Sequence, residues 1–139
     1  MSRSLRVTRK GSLRVILAII LAGLLTACGV RDLPNTAVVR KAIAMQVATT
    51  QQEISQQLRL KPPKVKVDRV QIKTQDPLSI QNLTAYRVEG TYDFTLKLRN
   101  RNVVQKDNPF EVYLQRQSEG KIWRLAQQKE AGWVTKLVE

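Results

Sequence analysis

Any chemistry this chain performs must be built without histidine. Its 139 residues include none, and only one cysteine, Cys28. His-based metal sites, Ser-His-Asp and Cys-His arrangements, zinc ribbons and internal disulfides are therefore beyond its own residues. What remains is the Cys28 thiol, a few carboxylates, three tyrosines and a surplus of cations, 24 Lys and Arg against 11 Asp and Glu. Glu89 and Asp93 alternate with Arg87, Lys97 and Arg99, which describes a solvated salt-bridge ladder and not a proton-transferring pair. There is no phosphate loop, Ca²⁺ loop or nucleophile elbow. The reading is of a protein that is not an enzyme and uses no metal or cofactor.

The setting of the thiol gives it a role. Arg3, Arg6, Arg9, Lys10 and Arg14 precede an unbroken apolar run, Val15 to Leu25, and small residues follow, Thr26-Ala27-Cys28-Gly29. A basic stretch, a short apolar helix and a small-residue cleavage site make a secretory signal. Its 11 apolar residues are about half the ~20 that span a bilayer. An uncleaved anchor would have to reach Val30 and absorb Thr26, Cys28 and two glycines. Leu25-Thr26-Ala27-Cys28 resembles the lipobox of bacterial lipoproteins at all four positions. The resemblance implies cleavage between Ala27 and Cys28, a diacylglyceryl group on the Cys28 sulfur, and attachment to the cell membrane or outer membrane. The folded part would then face the periplasm or the exterior. One acyl chain binds a membrane marginally, and two or more hold it.

The rest of the chain reads as a signal over 1–27, a tether over 28–35 and a single domain over 36–139. Five basic residues and no acid leave with the signal, so the remainder still carries +8. Residues 36–59 predict a helix with Val39, Ile43, Val47, Thr50, Ile54 and Leu58 on one stripe, opened by Asn35 or Thr36 and stopped by Lys61-Pro62-Pro63. From Lys64 the period is two. Val65 and Val67 fall out of phase with Val70 and Ile72, which asks for a bulge near Asp68-Arg69. Asp76-Pro77 reads as a turn, and Tyr86 to Leu98 as a long strand bent at Gly90. Asn100–Asn108 reads as a loop, followed by a strand from Phe110, a turn at residues 118–121, a strand from Ile122 and a last one from Trp133. All seven aromatics lie in these strands. An amphipathic helix must cover the apolar face of the sheet, so the expected fold is α+β: one N-terminal helix on a curved antiparallel sheet of four to five strands.

That order, with the hairpin ending in Gly120-Lys-Ile-Trp-Arg-Leu125, resembles the nuclear transport factor two-like and cystatin-like superfolds, in which a sheet forms a cone under helices. The resemblance implies a cone lined here by Tyr86, Tyr92, Phe94 and Trp123. Full members carry more N-terminal helices than the one readable here, so a shallow cone is expected. Fold likeness supplies no function. The charge surplus supplies a direction. Arg59, Lys61, Lys64, Lys66, Arg69 and Lys73 meet only Asp68 among them. If the first two strands pair, Lys64 and Lys66 join Arg87, Lys97, Arg99 and Arg101 on one positive face. Anionic lipid, an envelope polymer or an acidic protein would suit it, whereas the missing outward aromatics and the export signal argue against nucleic acid. Two functions follow: a lipid-anchored binding or assembly module that uses this face, or a carrier of a small hydrophobic ligand in the cone.

Overall fold

The computed structural model describes residues 32–118 and 121–139. The signal, Ala27, Cys28 and the first half of the tether lie outside the described residues, as do Glu119 and Gly120 of the 118–121 turn. The described domain is α+β, one helix packed on a five-stranded antiparallel sheet. No described helix is long and apolar enough to cross a membrane.

Helix α1 (Thr36–Gln57) begins at Asn35, whose extended backbone lets its Oδ1 accept from the Val38 N–H at 2.9 Å. Such a cap contributes about 1 kcal/mol. Pro34 in front of it is buried, and its carbonyl accepts from Gln75 Nε2 at 3.1 Å. The far end closes by paired bonds, Leu60 N–H to Ser55 O (2.8 Å) and Arg59 N–H to Gln56 O (3.2 Å). This is the Schellman pattern with Arg59 at φ 54°, where glycine is usual. The helix therefore stops ahead of the two prolines that the sequence offers as its terminator.

The strands form a meander in chain order: β1 (Lys64–Ile80), β2 (Leu83–Lys97), β3 (Asn102–Arg116), β4 (Trp123–Lys129) and β5 (Gly132–Leu137). The bulge at Asp68-Arg69 is present, as the register jumps between Val67 and Val70. Two expectations need correction. Asp76-Pro77 is not a turn, because both residues pair within β1, with Arg87 and Tyr86. The turn is Gln81-Asn82, with φ of 51° and 63°, the primed geometry that suits a two-residue hairpin. Pro77 is tolerated because β1 is an edge strand with a neighbour on one side only.

Asn100–Asn108 is not a loop either. The connection is Leu98–Arg101, closed by Leu98 N–H to Arg101 O at 2.9 Å, and β3 starts at Asn102. Its first half is polar because it runs beyond β4, which pairs only with Tyr113–Arg116. One extra residue bulges out opposite Asp93, where Asp107 adopts φ 53°. Pro109 sits in this same stretch, paired with Thr91 on one side only.

The main core joins Val39, Ala42 and Ile43 of α1 to Tyr86 and Val88 of β2, Val112 and Leu114 of β3, and Trp123 and Leu125 of β4. A second cluster of Ile80, Ala85 and Ala126, packed with Leu78, Tyr113 and Trp133, lies across the sheet. Gly90 stands between two neighbours: an added Cβ would meet Gln71 O at 2.0 Å and the Phe110 ring at 2.9 Å. The glycine is required by close approach of β1. Past Val47 the expected apolar stripe fails, because Ile54 and Leu58 are 43% and 62% exposed and the buried residue there is Ser55.

Candidate functional site

The basic residues singled out in the sequence are divided by the register. Arg87 sits mid-sheet, its guanidinium between Glu89 and Glu111, the latter at 3.0 Å. Thr74 bonds the far side of Glu89 at 3.2 Å, and the Tyr113 hydroxyl donates to Glu111 at 2.9 Å. That hydroxyl bond is the main influence holding the Glu111 carboxyl below its ordinary value, with Arg87 adding to it, and it raises the Tyr113 phenol in turn. Lys66 reaches Asp68 at 3.2 Å. The Asp68 carboxyl is lowered first by its bond from Thr95 and then by Lys66. Arg69 is held between Asp93 (3.4 Å) and Asp107 (3.1 Å). Cation and acid alternate along the middle of this face, so little net field survives there.

The remaining four, Lys64, Lys97, Arg99 and Arg101, gather at one end. Lys64 and Lys97 are direct cross-strand partners, and Arg99 and Arg101 belong to the β2–β3 turn next to them. None of the four enters an ion pair among the described residues. Like charges facing each other across a ladder destabilise the pair, so this end of the sheet carries an uncompensated positive potential. Two further cations stand on the helix exit that leads into Lys64, namely Arg59 and Lys61. In the sequence they belong to the same basic run as Lys64, which pairs with Lys97. The sequence periodicity assigns Leu58 and Leu98 to apolar faces of the helix and the long strand, where both are exposed, and it passes over Leu60, also exposed, because an apolar residue in a turn follows no period.

The aromatic set divides as well. Tyr86 and Trp123 are buried and pack ring against ring in the main core, centroids 6.0 Å apart. Tyr92 and Phe94 stack at 5.9 Å, and Tyr92 meets Phe110 edge-on at 6.3 Å. With Ile43, Val47 and Thr50 they border a groove of about 490 Å³. Burial raises the Tyr92 phenol. A second groove of about 450 Å³ lies toward β1, between Ala44, Ala48 and Ser55 on α1 and Leu60, Val65 and Val67. Both are open at the side, and the back half of α1 separates them.

Among the described residues no three His, Cys, Asp or Glu side chains come together as metal ligands would. The grouped carboxylates of this face are each bonded to Arg, Lys, Thr or Tyr neighbours, the arrangement of a structural ladder. No known family, characterised protein or solved structure matches the chain.

Proposed function

We propose that the chain is a lipid-anchored, non-catalytic module of the bacterial cell envelope that meets anionic partners through the basic end of its sheet. The observation that carries this is the sole cysteine at the close of a complete signal, Leu25-Thr26-Ala27-Cys28. The domain's own boundary supports it: the seventh residue of the processed chain, Pro34, is already buried and held by Gln75. Cys28 and Pro34 are joined by at most ~20 Å of chain, so an acylated Cys28 would keep the domain at the bilayer surface. We read the helix-on-meander as a reduced form of the cystatin-like cone, with one helix where larger members have several.

Replacement of Cys28 tests the reading. Cys28→Ser should remove incorporation of labelled fatty acid and the matching mass increase. A Cys28→Ser protein that still takes up the label ends the proposal. Membrane fractionation alone does not decide it, because an uncleaved signal also sediments with membranes.

The carrier reading rests on the groove beside Tyr92 and Phe94, whose volume suits a small ligand. Its open side leaves a bound apolar molecule in contact with water, and the charged end of the sheet has no part in it. The docking reading accounts for both features.

A further inference from the structure

Residues 54–67 and 94–106 each carry four Lys or Arg and no acid. The fold sets them side by side. Leu60 to Pro63 leads directly into Lys64, whose partner Lys97 is followed at once by Leu98 and the turn that carries Arg99 and Arg101. On the same face Lys66, Arg69 and Arg87 each have a carboxylate within ion-pair distance. A surface evolved only for solubility would mix the signs here too.

The same end exposes large apolar side chains. Leu60 is 65% exposed and Leu98 is 39%, with Leu58 and Val104 close by in the chain order of these elements. A dissolved polyanion or an acidic protein surface answers the cations but offers no general apolar phase to the leucines. A phospholipid surface answers both, phosphate at the headgroups and acyl chain beneath them, and long Lys and Arg side chains reach back to the phosphates while neighbouring apolar groups sink.

We infer that the end of the domain formed by the α1 exit and the β2–β3 turn docks on an anionic phospholipid bilayer, through Lys64, Lys97, Arg99, Arg101, Leu60 and Leu98. The bilayer is the one that holds the chain's own anchor, and that part of the inference rests on the acylated-Cys28 reading. Gln75, which grips Pro34, lies eleven positions along β1 from Lys64, about 35 Å at strand spacing. Anchored near one end of β1 and docked at the other, the domain lies along the membrane. Tethering keeps the surface always within reach, so each contact can be weak.

Leu33–Glu139 is a compact unit containing both apolar clusters, so it is tested without the anchor. It is mixed with phosphatidylcholine vesicles with and without phosphatidylglycerol, at low and high salt, and bound protein is measured by flotation. Retention is expected only with phosphatidylglycerol and should fall with salt. Lys97→Glu/Arg99→Glu/Arg101→Glu should lower partitioning by on the order of 100-fold. Leu60→Ser/Leu98→Ser should lower it several-fold even at low salt, whereas Lys129→Glu, a charge change on β4, should leave it within about fivefold. Unchanged melting of each variant shows that the fold survives. The inference is overturned if wild type ignores phosphatidylglycerol, if the triple variant binds as wild type does, or if soluble polyphosphate is bound and vesicles are not. None of these outcomes touches acylation of Cys28, and failure of that modification leaves the vesicle result standing.

Discussion

The two halves of α1 continue a single hydrophobic period and end in different surroundings. Val39, Ala42 and Ile43 are sealed against three strands, while Ile54 and Leu58 are exposed. The sheet differs in the same direction. At the first end it has five strands and apolar clusters on both faces; at the other only β1, β2 and the start of β3 remain, and cations face each other unpaired. One end is built for stability. The other keeps exposed the leucines and charges that a self-contained fold would bury or neutralise, and residues left out of folding are free for contact.

The most severe way to break this comparison is at Gly90, where β1 and β3 close on β2 between the two ends. Gly90→Ala drives a methyl group into the Gln71 carbonyl, and because backbone and not a flexible side chain must give way, a cost of ~4 kcal/mol is expected, above the usual overpacking range. A denaturant midpoint within error of wild type would mean that the strands do not approach as described. A smaller effect separates the ends directly. Leu114→Ala at the packed end should cost ~3 kcal/mol, and Leu58→Ala less than ~0.5 kcal/mol. Equal losses would show that the back half of α1 is buried after all.

The smallest expected effect sharpens the electrostatic side. Asp68 and Glu111 have their pKa values lowered in the folded protein, so the unfolded chain binds more protons through that interval. The stability they add is present above the ordinary carboxylate values and is lost as pH falls through the folded ones, below about pH 4. Glu111 is exposed, Asp68 is half-buried and salt screens both, so the change is modest. Glu111→Gln should flatten part of the fall in melting temperature between neutral and acid pH. A slope identical to wild type would remove the Tyr113–Glu111–Arg87 chain from the account.

Reading from sequence worked where a residue's neighbours in the chain are also its physical determinants. The Asn35 cap depends on a side chain and an N–H three positions apart. The Asp68-Arg69 bulge shows itself as a phase slip in the alternation. The same approach failed at Asp76-Pro77 and at Asn100–Asn108. A proline reads as a turn until β1 proves to be an edge, and polar residues read as a loop until β3 proves to outrun β4. Of the candidate basic face, the residue types were legible and their partners were not. Glu111 lies 24 positions from Arg87 and Asp107 lies 38 from Arg69, separations that only strand register can close.

The linear order of residues alone sets the signal-like start, the single thiol at position 28, the excess of positive charge, and the change from helical to strand period after Pro63. These depend on short spacings and on composition, and no folding is needed to express them. Which cations remain uncompensated, and which apolar residues lie beside them, was decided by the tertiary structure. A charge is neutralised by whatever is within a few ångströms, and in a meander that neighbour comes from another strand.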